Sequence, residues 1–517
     1  MAQSLPFQKD IWELIISQLD CPSLFNDQSY VNGAWVASAS GRRFHVTGWL
    51  NSQPSEDYPG TGENWASVPE NDASDVEPAV QSAQDAFLLY RKTTPRQRSQ
   101  YLLNWHLLLK EHKNDIAKII TYETGKPLAE SAGELDYAIS STWWFAGEAD
   151  RIQGTYFDSS MPGKKVITIK QPIGVVAALV PWNFPVAMVV RKAAAALAAG
   201  CTMIIKPSPE TPLSVLSLAH LATQAGFPNG CLNVLTTSLA YTPALSEALC
   251  RHALVKKVTF TGSTRIGKLI AKICSDSLTK VTLELGGNCP FVIFDDADLE
   301  QAAAALMNLK WRNSGQACIS ANRVYVQAGV YEKFASMLTE LTSKLVVGHG
   351  SSSDSTLGPV TTPQSLDRIS EQVNDAQIHG ARILFGGKRV ENTTGYFFQP
   401  TIIADATSEM RVTHEESFAP ILTFYKFQDE SEAIKLANDT PMGLASYVFT
   451  KDLDRAWRLL DEIEAGMIGL NTSAITGAES PFGGMKESGY GKEAGKDVAV
   501  EEYLVTKAAS VAIASRL

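Results

Sequence analysis

Residues 171–207, QPIGVVAALVPWNFPVAMVVRKAAAALAAGCTMIIKP, decide the fold. Residues 173–180 form a short run rich in Val and Ala, which predicts a buried strand. Residues 191–200 are rich in Ala and end at Gly200, which predicts a helix. Residues 202–205 predict a second short buried strand. A strand, a helix and a strand in this order are typical of a parallel sheet that is covered by helices.

The same alternation continues along the chain, and it argues against a membrane span. Residues 171–190 are uncharged and long enough to cross a bilayer, but Pro181, Asn183 and Pro185 would interrupt helical hydrogen bonding at their centre. Further strands are predicted at residues 255–260, 281–285, 291–294 and 324–327, and helices at residues 212–225, 264–274, 302–312, 331–345 and 365–379. The pattern predicts an α/β fold.

Two stretches do not follow this alternation. Residues 51–71 are rich in Ser, Pro, Gly and acidic residues, which predicts a surface loop. Residues 1–20 contain acidic side chains and lack a basic segment followed by an apolar one, so they do not resemble a targeting signal. We expect a short amphipathic helix on the surface there.

Composition bounds the class of protein. A chain of 517 residues accommodates about three domains at roughly 100 to 200 residues each. Lys plus Arg is 45 and Asp plus Glu is 55, so the net charge of −10 gives no electrostatic basis for binding nucleic acid or an anionic membrane. The 7 cysteines are few and lack metal-ligand spacing, which predicts a reduced, cytoplasmic protein without a metal site.

The sequence FTGSTRIG, residues 260–267, follows a predicted strand and opens a predicted helix. Gly262 permits a tight turn, while Ser263 and Thr264 add hydroxyl donors to the free amides of the first helical turn. Such a helix N-terminus favours a phosphate or pyrophosphate. By itself the motif is equally typical of a helix cap that binds no ligand.

Two further motifs contain residues suited to covalent and acid–base chemistry. Cys318 follows a Gly-containing turn in WRNSGQACISANR, where a thiolate can be exposed and stabilised by amides. Glu284 lies between two leucines in VTLELGGN, where desolvation is expected to raise its pKa and make it a general base. Taken singly, Cys318 can instead be a buried apolar residue, and Glu284 can point outward from an edge strand.

The loop PWNFP, residues 181–185, directly follows the first buried strand. Its two prolines restrict the backbone, so the Asn183 amide can serve as a rigid donor to a developing oxyanion. An Asn that only supports a turn is the alternative interpretation.

In this order, PWNFP, KPSPETP, FTGSTRIG, LELGGN, GQAC, EESFAP and SPFGGMKESGYG resemble the motifs of the NAD(P)-dependent aldehyde dehydrogenase superfamily. The resemblance covers most of the chain and implies oxidation of an aldehyde to a carboxylic acid. It implies that Cys318 attacks the carbonyl and that Asn183 and the Cys318 backbone N–H hold the oxyanion of the thiohemiacetal. It also implies that Glu284 activates the water that hydrolyses the thioester.

The same resemblance implies a binding site for NAD or NADP. The residues that it assigns to the cofactor are Lys206, Trp182, Gly262, Ser263, Thr264, Glu416 and Phe418. Two positions depart from the family pattern, because Pro209 stands where NAD-preferring members commonly have Glu and Ala419 replaces a Gly. A missing carboxylate removes repulsion against a 2′-phosphate, so the sequence permits NADP without choosing between the two cofactors.

Within the superfamily, the closer resemblance is to the succinate-semialdehyde dehydrogenases. It implies that Arg191 and Arg312 bind the distant carboxylate of the substrate and that Thr476 is the nearest match to a serine ligand. Arg191 lies eight residues after Asn183, and Arg312 lies six residues before Cys318, so both are within reach of the substrate. A guanidinium pair would select an aldehyde that carries a carboxylate. A salt bridge to a protein carboxylate is the alternative.

Two other functions stay open on the sequence. One is oxidation of an aromatic or aliphatic aldehyde in a specialised pathway, because residues 46–70 are longer and more polar than is usual in the family. The other is a catalytically silent, structural role, against which the intact Cys318, Glu284 and Asn183 argue.

The resemblance also implies the architecture, with two parallel-sheet domains and a small β arm. The cofactor-binding, Rossmann-like domain is predicted at residues 25–154 and 171–286, the catalytic domain at 287–480, and the oligomerisation arm at 155–170 and 500–517. Two short apolar segments in the arm, VITIK and VTKAASVAI, would be exposed edges unless another subunit covered them. A homodimer or a homotetramer is therefore expected.

Overall fold

The computed structural model of the protein describes Glu13 and residues 15–47, 64–391 and 395–513. Most of the helix predicted over residues 1–20 and most of the loop predicted over residues 51–71 lie outside these described residues. The last four residues of the predicted arm, 514–517, also lie outside them.

The described residues contain twenty-two strands, most of them short. They are β1 Ser29–Val31, β2 Ala34–Val36, β3 Arg43–Thr47, β4 Asn64–Pro69, β5 Tyr156–Asp158, β6 Lys164–Pro172, β7 Val175–Leu179, β8 Thr202–Lys206, β9 Leu232–Val234, β10 Val255–Thr261, β11 Lys280–Glu284, β12 Cys289–Ile293, β13 Ala321–Gln327, β14 Arg382–Phe385, β15 Thr401–Ala404, β16 Ile421–Phe427, β17 Met442–Gly443, β18 Ala445–Phe449, β19 Met467–Leu470, β20 Met485–Lys486, β21 Gly489–Tyr490 and β22 Leu504–Ala512.

Fifteen α-helices alternate with these strands in the described part of the chain. They are α1 Val76–Tyr90, α2 Pro95–Glu111, α3 Lys113–Thr124, α4 Leu128–Ala149, α5 Pro185–Ala199, α6 Pro212–Gln224, α7 Thr242–Arg251, α8 Thr264–Ser275, α9 Leu299–Lys310, α10 Tyr331–Thr342, α11 Pro363–Ile378, α12 Arg411–His414, α13 Glu430–Asn438, α14 Leu453–Glu462 and α15 Lys496–Glu501.

The first sheet has eight strands in the order β2-β1-β9-β8-β7-β10-β11-β21. The five strands from β9 to β11 are parallel, and the strands at both edges are antiparallel to their neighbours. Strand β7 shows why the sheet is buried on both faces. Val176 and Ala178 belong to one apolar cluster, whereas Val175, Ala177 and Leu179 belong to another on the opposite face.

Helix α5 begins six residues earlier than the sequence predicts. Pro185 occupies the first helical turn, where its missing N–H and restricted φ angle are both tolerated. The helix ends where predicted, because Gly200 adopts a left-handed conformation with φ of 94°. The PWNFP loop is therefore only the short turn between β7 and α5, and it holds Asn183 at the end of the sheet.

The second sheet has seven strands in the order β14-β15-β16-β13-β12-β18-β19. All pairs are parallel except β14 with β15. Its strands also bury side chains on both faces, since Phe291 and Ile293 join one cluster while Val292 joins another. The predicted α/β class with two largely parallel sheets is confirmed.

A third sheet projects from these two and consists of β22, β6 and β5, all antiparallel. Strand β22 is exposed along nearly its whole length, with only Leu504 buried. Exposed apolar side chains, including Ile167, Ile169 and Val511, lie along the strands. This sheet contains both of the apolar segments that the sequence places in an arm.

The prediction of a surface loop over residues 51–71 is wrong for its last part. Asn64–Pro69 is strand β4, and it pairs in antiparallel register with Arg43–Thr47. Trp65, Ala66 and Val68 are fully buried. Composition concealed the strand, because these apolar residues lie beside a long polar tract and contribute little to an average over that tract.

No helix in the described part of the chain is both long and apolar enough to cross a membrane.

Candidate active site

The candidate active site lies between the first and second sheets. The first sheet contributes residues at the carboxyl ends of its parallel strands: Asn183 after β7, Ser263 after β10 and Glu284 at the end of β11. The second sheet contributes loops that precede its strands, with Cys318 before β13 and Glu416 before β16. Parallel strands bring their ends to a common edge, so motifs far apart in the sequence meet there.

Cys318 lies at the junction of two cavities, one of about 310 Å³ and one of about 390 Å³. Its side chain is partly exposed to them. Burial raises the pKa of the Cys318 thiol well above its usual value, and the Glu284 carboxylate raises it further. Burial therefore disfavours the thiolate for which the sequence predicts stabilisation by amides, and a nearby base would assist its formation.

Glu284 meets the physical requirements of such a base. It is 1% exposed, and neither carboxylate oxygen accepts a hydrogen bond of good geometry from the described residues. Burial raises the pKa of Glu284 to about 7, with a further contribution from Glu493. Strand β11 is flanked by β10 and β21, so the alternative of a Glu on a free edge does not apply. Its carboxyl group is therefore able to gain and lose a proton near neutral pH.

Asn183 is held rigidly beside the nucleophile loop. It is buried, and its Nδ2 donates a hydrogen bond to the Gln316 carbonyl oxygen at 3.0 Å, two residues before Cys318. An amide nitrogen has two hydrogens, so one remains for a further acceptor. Asn183, Cys318 and Glu284 all line the 310 Å³ cavity. The structure brings these three predicted residues together.

The 310 Å³ cavity, here called the cofactor-side cavity, contains most of the residues that the resemblance assigns to NAD(P). Its lining is Pro181, Trp182, Asn183, Met188, Thr261, Gly262, Ser263, Glu284, Leu285, Gly286, Cys318, Thr362, Ser365, Arg368, Glu416 and Phe418. Trp182 and Phe418 form an edge-to-face pair with ring centroids 5.7 Å apart. Glu416 accepts a hydrogen bond from the Gly287 N–H at 3.1 Å, and burial raises its pKa to about 7.

The start of α8 is open toward this cavity. Ser263 is the N-cap residue, but its side chain makes no capping hydrogen bond, so its hydroxyl and the first amides are available to a ligand. A Cβ atom at Gly262 would lie 2.5 Å from the Phe260 ring, so close packing requires glycine there. Thr264 differs from expectation: its hydroxyl donates to the Glu487 carbonyl oxygen at 3.2 Å and does not line the cavity.

Lys206 ends strand β8 at the same edge of the sheet, but it does not line the cofactor-side cavity. Burial lowers the pKa of Lys206 to about 8, which the nearby Glu210 carboxylate partly offsets. The Ser208 hydroxyl donates a hydrogen bond to Glu210, so this carboxylate is held close to Lys206. Pro209, between Ser208 and Glu210 in the sequence, contributes no charge to this region.

The 390 Å³ cavity, here called the substrate-side cavity, lies on the other side of Cys318. Its lining is Ala129, Glu130, Gly133, Glu134, Tyr137, Phe184, Ala187, Met188, Arg191, Arg312, Ala317, Cys318, Ile319, Thr476 and Phe482. All three residues predicted to bind the substrate are among them: Arg191, Arg312 and Thr476. Arg312 is exposed, lies over the Phe184 ring at 5.1 Å and forms no ion pair with any described residue.

Arg191 is in a different state, and here the salt-bridge alternative is present in the structure. Its side chain is 1% exposed and pairs with Glu493 at 2.6 Å, while Phe482 packs 4.0 Å from the guanidinium. Lys192 pairs with the same carboxylate. Although burial favours the neutral acid, Lys192 and Arg191 together hold the pKa of Glu493 at about 2. The Glu493 carboxylate therefore has Arg191 and Lys192 as partners, and Arg191 is not free to bind a substrate anion without competing with it.

Sequence reasoning missed several residues of the site, among them Glu493, Glu130, Tyr137 and Phe482. Glu493 lies two residues after the SPFGGMKESGYG motif, and an acidic residue in a glycine-rich segment was a signal that could have been followed. Glu130 and Tyr137 carry no local signal, because they face the cavity only through the packing of α4 against α5.

Among the described residues, no group of three or more His, Cys, Asp or Glu side chains is arranged to hold a metal ion.

The chain is similar to known proteins over most of its length. Residues 49–509 match the aldehyde dehydrogenase family. The 3-sulfolactaldehyde dehydrogenase of Pseudomonas putida is 43% identical over 490 residues, covering 95% of this chain and 98% of that protein. The NADP(+) succinate-semialdehyde dehydrogenase of Escherichia coli (strain K12) is 43% identical over 490 residues, covering 95% of this chain and 98% of that protein.

The solved structure of an E. coli NADP-dependent enzyme is similar throughout, with a TM-score of 0.91 at 43% identity, and the match covers 96% of this chain and 100% of that one. The chain belongs to the aldehyde dehydrogenase family and is an NAD(P)-dependent enzyme that oxidises an aldehyde to a carboxylic acid.

Proposed function

We propose that Cys318, Glu284 and Asn183 carry out this oxidation through a covalent intermediate. Ionised Glu284 accepts the proton of the Cys318 thiol, and the thiolate attacks the aldehyde carbon. The carbonyl oxygen becomes an oxyanion, which the free N–H of Asn183 and the Cys318 backbone N–H stabilise. Loss of hydride then converts the thiohemiacetal to a thioester. The carrying observation is that all three side chains line one cavity.

Glu284 acts again in the second half of the reaction. After releasing its first proton to solvent, it removes a proton from water, and the resulting hydroxide attacks the thioester carbon. The C–S bond breaks, the carboxylic acid leaves, and Cys318 recovers its thiol. A pKa of about 7 suits this double use, because the carboxyl group is neither permanently charged nor permanently protonated near neutral pH.

The cofactor-side cavity fits NAD or NADP. Ser263 and the uncapped start of α8 would bind the pyrophosphate, Trp182 and Phe418 would border the nicotinamide, and Glu416 would hold its ribose. The nicotinamide supplies the hydride acceptor when it is bound. Gly286 supports this assignment, because a Cβ atom there would lie 2.6 Å from Glu416 and would displace it. Lys206 would bind the adenosine ribose, and the absence of a carboxylate at Pro209 favours acceptance of NADP.

For the substrate, we propose an aldehyde that carries an anionic group at its far end, with succinate semialdehyde as the first candidate. The observation that carries this proposal is Arg312, an exposed cation in the substrate-side cavity without an ion pair among the described residues. Thr476 lines the same cavity and adds a hydroxyl donor. The names of both cited relatives denote substrates with a carboxylate or a sulfonate, which is consistent with a cationic pocket.

An aromatic or aliphatic aldehyde is the second candidate, and two observations favour it. Phe184, Met188 and Phe482 give the cavity apolar walls. Arg191 is already paired with Glu493 and is therefore a weaker ligand for a substrate anion than Arg312.

A steady-state panel of aldehydes against NAD and NADP tests these alternatives. We expect kcat/KM for succinate semialdehyde to exceed that for hexanal and benzaldehyde by at least about tenfold, as one charge-assisted hydrogen bond supplies. Equal values would favour the second candidate. Arg191→Ala adds a further test. If this variant kept the full preference for the carboxylated substrate, the two-arginine site would be refuted and Arg312 would be the main ligand of the substrate carboxylate.

We also propose that the chain assembles as a homodimer or homotetramer through the three-stranded sheet of β5, β6 and β22. The exposed apolar residues on this sheet support the proposal, because such edges seldom stay uncovered. We further propose that the first sheet belongs to the predicted cofactor-binding domain and the second sheet to the predicted catalytic domain. Sedimentation equilibrium of the full chain measures the assembly, and a monomer at micromolar concentration would refute it.

A further inference from the structure

We propose that Lys126, Glu134 and Asn313 form a clamp that positions Asn183 to stabilise the oxyanion. All three are positioning residues in this proposal, because they act through Asn183. The proposal rests on the oxyanion role proposed above for Asn183, and it goes further by assigning the groups that hold that residue in place.

Lys126 forms a buried ion pair directly behind Asn183. Its Nζ lies 2.9 Å from the Glu134 carboxylate, and the two side chains are 1% and 0% exposed. The same Nζ donates to the Asn183 carbonyl oxygen at 2.6 Å and lies 4.5 Å from the centre of the Phe184 ring. Removing a charge from water costs free energy, and a buried ion pair offsets that cost only when its hydrogen bonds are satisfied. Here one of those bonds is to the backbone of the oxyanion donor.

Glu134 holds the same turn through its second carboxylate oxygen. That oxygen accepts hydrogen bonds from the N–H groups of Val186 at 2.9 Å and Ala187 at 3.1 Å. These are free amides of the first turn of α5, whose own N-cap residue, Phe184, provides no side-chain cap. Glu134, which lies on a neighbouring helix, therefore caps the N-terminus of α5. The amides that it caps lie only three and four residues after Asn183 in the chain.

Asn313 joins this turn to the nucleophile loop. Its Nδ2 donates to the carbonyl oxygens of Asn183 at 3.0 Å and Gln316 at 3.3 Å. The Asn183 side chain donates to that same Gln316 carbonyl. The Asn313 backbone has a φ angle of 50°, and its N–H donates to Glu130 at 2.7 Å. A left-handed asparagine is tolerated there because its short polar side chain forms these bonds.

The clamp has a consequence for catalysis. Asn183 is fixed through its carbonyl by two donors and through one amide hydrogen by Gln316, so the direction of the remaining N–H is determined. An oxyanion donor is effective only within a few tenths of an ångström of its place, and a displacement of 1 Å can cost about 100-fold in rate. Loss of the clamp should therefore slow the chemical step more than it weakens substrate binding.

A double-mutant cycle on the full-length enzyme tests the proposal. The variants are Lys126→Met, Asn183→Ala and the double variant, and the readout is the single-turnover rate of reduced-cofactor formation with saturating aldehyde and NADP. We expect Lys126→Met to lower this rate about 10- to 100-fold with a KM change of less than about threefold. In the Asn183→Ala background, the same change should lower the rate less than about twofold.

Two controls separate positioning from general damage. Alkylation of Cys318 by iodoacetamide forms no oxyanion, so its rate should be the same in Lys126→Met and the unaltered enzyme. Lys113→Met is the matched control, because Lys113 pairs with Asp136 near the same helix but with side chains 27% and 67% exposed. It should leave the single-turnover rate unchanged. Lys126→Arg, which keeps the charge, should recover part of the rate.

If Lys126→Met does not fold, Asn313→Gly provides the same cycle. Glycine keeps the left-handed backbone without strain and removes only the amide donor, while the ion pair stays intact. We expect a smaller loss of about 5- to 20-fold, which again disappears in the Asn183→Ala background.

The outcomes against the proposal are distinct. Equal losses from Lys126→Met in both backgrounds, or no loss in either, would overturn the clamp while leaving Asn183 as the oxyanion donor. A normal rate in Asn183→Ala alone would overturn the role of Asn183, and the clamp with it.

Discussion

The two cavities that meet at Cys318 are built by different parts of the fold. The cofactor-side cavity is lined by residues at the carboxyl ends of strands, such as Glu284, which ends its strand, and Ser263 and Asn183, which lie two and four residues after theirs. The substrate-side cavity is lined mainly by the faces of helices α4 and α5 and by two loops. The parallel sheet sets the first group of positions, whereas helix packing sets the second.

The cavities also differ in electrostatics. On the cofactor side, burial raises the pKa of both Glu284 and Glu416 to about 7, so protons are exchanged near neutral pH. On the substrate side, burial also raises the pKa of Glu130 to about 7, but this cavity additionally contains Arg312, a cation without an ion pair among the described residues. We propose that Glu284 carries the acid–base chemistry on the cofactor side of Cys318 and that Arg312 selects the aldehyde on the other side. Four substitutions test this division.

The largest effect is expected where the two cavities meet. Cys318→Ser should lower aldehyde oxidation at least about 1000-fold, because a hydroxyl with a far higher pKa replaces the nucleophile. The measurement is reduced-cofactor formation by absorbance, and Cys21→Ser is the control because that thiol is partly exposed and belongs to neither cavity lining. Near-normal turnover by Cys318→Ser would refute covalent catalysis.

On the cofactor side, Glu284→Gln should lower turnover about 100- to 1000-fold for every aldehyde, since it removes the base. The pH dependence of the rate provides a second test of Glu284. Glu284 accepts a proton only when it is ionised, so the rate of the unaltered enzyme should fall as pH drops through about 7 and level off above it. Stopped-flow and steady-state profiles measure both steps. If the Glu284→Gln variant showed the same fall in rate below about pH 7, ionisation of Glu284 would be excluded as the cause of that fall.

On the substrate side, Arg312→Ala should lower kcat/KM for succinate semialdehyde about 10- to 100-fold and leave that for hexanal within about twofold. A charge-assisted hydrogen bond contributes about 1.5 to 3 kcal/mol, and only the carboxylated substrate can form it. Arg312→Lys, which keeps the charge but loses the planar guanidinium, should be intermediate. Equal losses for both aldehydes would show that the two cavities are not functionally separate.

The smallest effect is expected at Pro209, which lines neither cavity. Pro209→Glu places a carboxylate near Lys206 and should raise KM for NADP about fivefold through repulsion of the 2′-phosphate, while KM for NAD changes little. The matched control is Pro209→Gln, which has the same size without the charge. If the Gln variant showed the same shift, the loop conformation and not the charge would be responsible.

The predictability of the site follows the same division. Cys318, Glu284 and Asn183, which the sequence indicates through short motifs beside buried strands, line one cavity in the structure. Thr264 does not line this cavity, because its hydroxyl donates a hydrogen bond to the carbonyl oxygen of Glu487, which lies more than 200 positions further along the chain. The burial that raises the pKa of the Cys318 thiol likewise depends on surrounding elements and is not visible in its local motif. The partner of Arg191 was left open for the same reason, as Glu493 lies some 300 positions further along the chain.

The sequence by itself determined the α/β alternation and the family, and it indicated Cys318 and Glu284 as the candidate nucleophile and base, because these depend on local patterns and on motifs next to strands. Only the tertiary structure decided which charges are free and which are paired. It left Arg312 open to the substrate-side cavity, joined Arg191 to Glu493, and placed Lys126 behind Asn183. The physical reason is that burial and ion pairing depend on what packs around a side chain, and for these residues the packing groups come from distant parts of the chain.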